Sequence, residues 1–197
     1  LVTHLRKINE NITLGTLDLK AFSLSERIRV KRELEKAGAQ YLLKIMLDGA
    51  DFVLDYTPQN KPFIRDSNYH LSISHSHDKL AIILNRQKNT GIDIELLRDK
   101  ILRVRHKFLN SKEWTFAQQN VQKLITIWAA KEAMYKAHGL KGLDFKEHLS
   151  VDDFSSIHIS GRLAKDGILK EYRLISEKME EYIMVYILDE TVLSHGL

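Results

Sequence analysis

The run Ile92-Asp93-Ile94-Glu95-Leu96 alternates apolar and acidic residues without a break. Successive side chains of a strand point to opposite faces. Ile92, Ile94 and Leu96 therefore face a core, and Asp93 and Glu95 project side by side from the other face. A second segment, Trp128-Ala129-Ala130-Lys131-Glu132-Ala133-Met134-Tyr135-Lys136, reads as a helix. Counting back from Glu132, residues Val121, Leu124, Ile125 and Trp128 form one apolar stripe. Glu132 continues that stripe, and Lys136 follows one turn later. A carboxylate on a core-facing stripe is costly unless something pairs with it. Three carboxylates converging near lysines suggest a hard divalent cation and an anionic phosphate ligand.

The 197 residues fit one domain or two small halves, with enough length to bury a core. There is no cysteine, which excludes disulfides and thiolate-held zinc or clusters and fits the cytoplasm. No apolar run approaches the roughly 20 residues that span a bilayer, and no signal-peptide pattern opens the chain. The net charge of +4 favours acidic partners, whether phosphate-rich cofactors, acidic proteins or nucleic acid. The densest basic stretch, with Arg98, Lys100, Arg103, Arg105 and Lys107, follows Glu95 directly; its plain reading is a solvated helix face.

The pattern of elements is α+β, with antiparallel strands. Strands are expected over 12–17, 52–56, 69–74, 80–84 and around Asp93. Ser23 and Glu26 have capping-box spacing, so a helix is expected to start there and to stop near Gly49, with Leu24 among its apolar positions. Residues 57–62 hold both prolines and read as a loop. In the second part, helices are expected over 101–108, from Asn110 or Ser111, and over 121–137. Strands follow over 156–164, 168–175 and 182–188, with an Asp166-Gly167 hairpin turn. The division falls between 1–88 and 89–197.

Each motif has a plain reading beside the functional one. Asp93-x-Glu95 also suits an exposed edge strand. Glu132 has Lys136 at i+4, the favourable salt-bridge orientation. Lys61, in Asn60-Lys61-Pro62, is a loop lysine that a rigid turn could aim at a phosphate. Ser72-Ile73-Ser74-His75-Ser76-His77 could be a serine nucleophile with a histidine base, but no nucleophile elbow surrounds it. A zinc site from His70, His75 and His77 lacks supporting spacing. Phosphate binding through Ser74 and His75, or a turn after a strand, remain. Glu113 stands three after Asn110, so it completes a helix cap or acts as a base; a glutamine would serve the cap equally.

Taken in order, Asn60-Lys61-Pro62, Ser72-Ile73-Ser74-His75-Ser76, Gly91-Ile92-Asp93-Ile94-Glu95, Lys107-Phe108-Leu109-Asn110-Ser111-Lys112-Glu113 and Trp128-Ala129-Ala130-Lys131-Glu132-Ala133 resemble the 4′-phosphopantetheinyl transferases. The closer resemblance is to the surfactin-synthetase-activating type, with its W-x-x-K-E-A signature. In this chain Asn60 stands where the family's loop motif often has glycine. The resemblance implies two similar α+β halves related by a pseudo-twofold, with coenzyme A in the cleft between them. It implies Mg²⁺ held by Asp93, Glu95 and Glu132, and coenzyme A contacts from Lys61, Ser74, His75 and Lys136. It casts Glu113 as general base and Lys136 as the lysine at the diphosphate. The partner would be an acyl or peptidyl carrier protein, the enzyme a cytoplasmic monomer, and neither nucleic acid nor membrane would be bound. The rival readings are a Mg²⁺-dependent nuclease, whose Glu-x-Lys strand pattern is absent because Leu96-Leu97 follow Glu95, and a non-enzymatic acidic-ligand module, which leaves Glu132 unexplained.

Overall fold

A computed structural model describes residues 3–139, 141–155 and 157–194. Two antiparallel sheets carry the fold. The first has the order β1-β2-β6-β5, from Thr3–Lys7 (β1), Ile12–Asp18 (β2), His70–Ser76 (β5) and Lys79–Asn85 (β6). The second has the order β7-β11-β10-β9-β8, from Ile92–Leu96 (β7), Leu149–Ser155 (β8), His158–Lys165 (β9), Ile168–Met179 (β10) and Tyr182–Ser194 (β11). A two-stranded ribbon joins Leu54–Tyr56 (β3) to Pro62–Ile64 (β4). The described residues form five α-helices: Leu19–Glu26 (α1), Lys31–Met46 (α2), Ile101–Val104 (α3), Ser111–Ala117 (α4) and Val121–His138 (α5).

Alternation along the strands sets the layers. Leu17, Leu80, Ile82 and Leu84 pack against α2 on one face of the first sheet. Ile12, Leu14, Ala81 and Ile83 point from its other face and meet Ile92, Ile94, Tyr182, Met184 and Tyr186 of the second sheet. The opposite face of that sheet, with Ile159, Leu174, Ile183, Val185 and Ile187, buries α5. The order is thus helix, sheet, sheet, helix. Since Ile92 and Ile94 lie between the sheets, Asp93 and Glu95 face α5, as the alternation requires.

The first helix differs from expectation. Asp18, not Ser23, is the cap: its side chain accepts from the Ala21 N–H at 2.8 Å. Ser23 and Ser25 instead donate to the Ile28 and Phe22 carbonyls, at 2.6 and 2.8 Å. Such back-bonding competes with capping. Arg27 then adopts a left-handed conformation, with φ 57°, and the helix breaks before α2. Leu24 is left 77% exposed, outside the core it was expected to join. Strands β1 and β8 were not anticipated. The expected 101–108 helix is one α turn continued by a 3₁₀ turn over Arg105–Lys107. Of the strand expected over 156–164, Ser156 lies outside the described residues. The Asp166-Gly167 turn is as expected, with φ of 49° and 78°.

The end of β7 runs hard against α5. A Cβ at Gly91 would stand 1.9 Å from the Ala133 carbonyl oxygen. The obstacle is helix backbone and cannot turn aside. Gly91→Ala should therefore fall at or above the top of the roughly 1–3 kcal/mol range for overpacking, measured by urea denaturation.

Candidate functional site

β7 and α5 bring Asp93, Glu95, Glu132 and Lys136 into one region. Asp93 is 4% exposed. Its Oδ1 accepts from Ser74 Oγ at 2.8 Å and Lys136 Nζ at 2.7 Å. Its Oδ2 is buried and has no protein partner. Lys136 also donates to the Ile92 carbonyl at 3.0 Å. Glu95 Oε1 accepts from the Trp128 indole at 3.0 Å, and Oε2 from Ser76 Oγ at 3.2 Å. Burial, then the Asp93 charge, raises the Glu95 pKa; the Trp128 and Ser76 bonds and Lys136 oppose this. Glu132 is pushed up to about 7 by burial and by Asp93, with Lys136 pulling the other way and Glu95 adding a smaller push.

These carboxylates influence one another electrostatically, yet no three His, Asp or Glu side chains among the described residues are gathered into a metal cage. The Lys136 ammonium sits on Asp93 instead. The donor set fits a hard cation by type: all oxygen, all carboxylate, with one buried oxygen still lacking a partner. The helix that presents Glu132 is buried on more than one stripe, with Ile127, Ala130, Lys131 and Met134 also inside. Its contacts with β7 and the adjoining Gly91 include those of Trp128, Ala133 and Lys136.

A cleft of about 150 Å³ borders this region and holds Lys61, Tyr135, Lys136 and Lys141. Asn60 has φ 66°, a left-handed conformation that asparagine tolerates better than most residues, which accounts for its place before Lys61. Lys61 Nζ donates to the Ala137 carbonyl at 3.0 Å and to Asn89 Oδ1 at 3.3 Å, at the negative end of α5. Burial pulls its pKa down. Gly139 ends α5 with φ 74°; a Cβ there would stand 2.8 Å from Lys61 Cδ. A second cleft of about 520 Å³ shares Asn60, Pro62 and Ile73 as walls with the first. It contains His75, Arg32 and Lys36. His75 Nδ1 lies 3.2 Å from Glu35. Alternation along β5 puts His75 on the face opposite Ser74. A third cleft, about 390 Å³, opens beside Glu95 and Trp128 and carries Lys31, Arg98 and Lys100.

The structure thus pairs Asp93 with Lys136, keeps Glu95 and Glu132 within electrostatic reach of both, sets Lys61 in the same cleft as Lys136, and places His75 across a shared wall. Ser74 is 6% exposed and its hydroxyl proton is committed to Asp93, which leaves none to offer a phosphate. Glu113 is 2% exposed and completes a capping box with Asn110. It does more than cap. Lys131, fully buried, donates to Glu113 Oε2 at 2.8 Å and to the Phe108 and Phe145 carbonyls, each at 2.7 Å. The Val151 N–H donates to Glu113 Oε1 at 2.9 Å. Sequence reasoning missed this clamp, and with it the Trp128–Glu95 bond and the role of Ser76. The Ser72-x-Ser74-x-Ser76 spacing was the available signal, since it puts three hydroxyls on one strand face.

A family model described as the 4′-phosphopantetheinyl transferase superfamily matches residues 89–187. That span is 99 of the 197 residues (187 − 89 + 1) and contains β7, α5 and the Glu113 clamp, but not Lys61, Ser74 or His75. No curated protein matches the chain.

Two outcomes follow from the electrostatics. A glutamine at Glu113 can cap α4 but leaves Lys131 buried without its counter-charge. Contrary to the expectation that Gln is neutral there, Glu113→Gln should cost about 3–5 kcal/mol. Glu113→Gln/Lys131→Met should recover most of it in urea denaturation. For Glu132, the folded pKa lies above the ordinary 4.5. The folded state therefore binds the proton more tightly than the unfolded chain. The penalty is absent below about pH 4.5, grows between there and about pH 7, and is complete above, on the order of 3 kcal/mol. In EDTA, the stability gap between Glu132→Gln and the unaltered chain should widen in favour of the variant from about pH 5 to about pH 8; an unchanging gap contradicts the assignment.

Proposed function

The chain belongs to the 4′-phosphopantetheinyl transferase superfamily, and on that premise we propose that it moves 4′-phosphopantetheine from coenzyme A to a serine hydroxyl of an acyl or peptidyl carrier protein, releasing 3′,5′-ADP. The observation that carries the reading is the buried Asp93, paired with Lys136 and electrostatically coupled to the partly buried Glu95 and Glu132, at the edge of a cleft lined with lysines. We place the chain in the surfactin-synthetase-activating type. Its support is the Trp128-Ala129-Ala130-Lys131-Glu132-Ala133 segment and a helix on the outer face of each of two antiparallel sheets. The parts 1–88 and 89–197 are then the two halves, related by a pseudo-twofold within a monomer. The substrates place the enzyme in the cytoplasm; no helix among the described residues is long and apolar enough to cross a membrane.

Asp93, Glu95 and Glu132 would hold Mg²⁺, as all-oxygen carboxylate ligands suited to a hard cation. When bound, the ion neutralises charge on the phosphate oxygens. The remaining work falls to side chains. Lys136 sits on Asp93 and within reach of the cleft, so it can transfer its attraction to the leaving phosphate. Lys61 and His75 flank the shared wall and hold the nucleotide end. Ser74, expected as a further coenzyme A contact, we place behind Asp93. In the transfer, the serine oxygen forms a bond to the phosphorus on the pantetheine side, and the bond from that phosphorus to the departing 3′,5′-ADP breaks. For the serine proton we keep Glu113 as the acceptor under test, since each of its oxygens already accepts a bond. The stable double variant Glu113→Gln/Lys131→Met supplies that test. A fall of about 10²-fold or more in turnover supports the base, and retained turnover removes Glu113 from the chemistry.

The deciding experiment incubates the chain with coenzyme A, Mg²⁺ and an apo carrier protein, and follows the carrier's mass. A gain of one phosphopantetheine is expected. Asp93→Ala should lower the rate by about 10²-fold or more, because contacts of this kind contribute several kcal/mol in the transition state. No gain on acyl or peptidyl carriers, with the chain folded, overturns the proposed donor and acceptor.

A further inference from the structure

β5 and β7 are edge strands of different sheets, and they meet through side chains. The Ile92, Ile94 and Leu96 amides of β7 donate to Ser72, Ser74 and Ser76 Oγ, at 3.2, 3.3 and 3.2 Å. β11 pairs with the other edge of β7, so these amides point to the side that no strand covers. Buried amides need acceptors. Three alternate serines supply them in register, each hydroxyl facing the amide 20 residues further along the chain.

A serine hydroxyl has one proton and two lone pairs, so it can accept an amide and still donate. Ser74 donates to Asp93 at 2.8 Å, and Ser76 to Glu95 at 3.2 Å. Each thus grips one β7 amide and the carboxylate of the residue just before it. At Ser72 the residue before the bonded amide is Gly91, which has no side chain. We propose that Ser74 and Ser76 are positioning residues: each hydroxyl fixes the strand and its acidic side chain as one unit, while Ser72 fixes the strand alone. This rests on the reading that Asp93 and Glu95 hold the divalent ion. For Glu95 the Ser76 anchor on one oxygen is joined by the Trp128 indole on the other.

Two readouts on the full chain test it. One is hydrogen exchange of the three β7 amides by NMR, without metal. The other is Mn²⁺ uptake in the presence of coenzyme A, counted by the electron paramagnetic resonance of free Mn²⁺. Ser76 is half-buried, so Ser76→Ala is expected to fold. It should speed exchange at Leu96 and weaken Mn²⁺ binding by about 10-fold or more, the effect of removing an outer-shell partner. Ser76→Thr, which keeps the hydroxyl, should restore both. Ser72→Ala should speed exchange at Ile92 and leave Mn²⁺ binding as in the unaltered chain. Equal weakening by Ser72→Ala and Ser76→Ala would show general loosening and overturn the positioning role, as would normal Mn²⁺ affinity in Ser76→Ala. Unchanged exchange in both alanine variants overturns the serine contact itself. An unaltered chain that takes up no Mn²⁺ overturns the metal reading and the positioning role together, and the exchange data then separate that failure from failure of the serine contact.

Discussion

Asp93 is a carboxylate almost wholly removed from water, and its surroundings make that placement tolerable. An unpaired buried charge is among the most expensive things a fold can contain. Here Lys136 supplies the counter-charge and Ser74 a further donor to the same oxygen. Both depend on distance. Lys136 reaches Asp93 because β7 approaches α5 so closely that only glycine fits at position 91 opposite Ala133. Ser74 reaches it because β5 lies along the free edge of β7. Two elements from different parts of the chain thus converge on one oxygen, while Asp93 Oδ2 is left without a protein partner. That one unpartnered buried oxygen, in an otherwise satisfied neighbourhood, is the feature the proposed metal site rests on.

The core between the sheets holds these distances. Ile92 and Ile94 pack against Ile12, Leu14, Ala81 and Ile83. A slip of β7 by one residue would turn the isoleucines toward α5 and the carboxylates into the apolar layer. The register of Asp93 against Val185 and Glu95 against Ile183 is therefore enforced from both faces. On the far side of α5, the Lys131–Glu113 clamp ties the 108 and 145 carbonyls to the helix. Phe108 and Phe145 in turn pack against Trp128, whose indole holds Glu95. The clamp and the site are thus linked through aromatic packing, although Glu113 itself bonds to none of the clustered carboxylates.

What could be read from sequence was local. Alternation over 92–96 assigned the two faces of β7 correctly, because strand geometry leaves no other choice. The Asn110–Glu113 spacing gave the cap because a capping box is set by neighbours three residues apart. The start of the first helix was misread because Ser23-x-x-Glu26 competes with Asp18, and the winner depends on β2 ending where it does beside Lys79. Strand β8 and the long arms of β10 and β11 acquire their pairing only from the assembled sheet. The serines were visible as an unusual composition, but their partners lie on another sheet's edge. Only the fold shows that a hydroxyl near phosphate chemistry faces a carboxylate.

The position of Lys136 sets the order in which charges must be matched. Burial first, and then the Asp93 charge, raises the pKa of Glu132 to about 7 and also raises that of Glu95, while the one ammonium of Lys136 pulls both the other way. A carboxyl so placed is a weak ligand when protonated and a strong one when ionised, so whatever brings positive charge to the cluster also ionises it. On the proposed reading, a cation there would compete with Lys136 for Asp93. Lys136 also lines the cleft it shares with Lys61, whose own pKa is depressed by burial. A depressed lysine gains most from an anion, because the anion restores the charged form that burial disfavours. On the proposed reading, a cation on the carboxylates and an anion on the lysines would therefore favour each other. Such mutual dependence is what a site needs if it is to grip a metal-bound phosphate more firmly than either the metal or the phosphate alone.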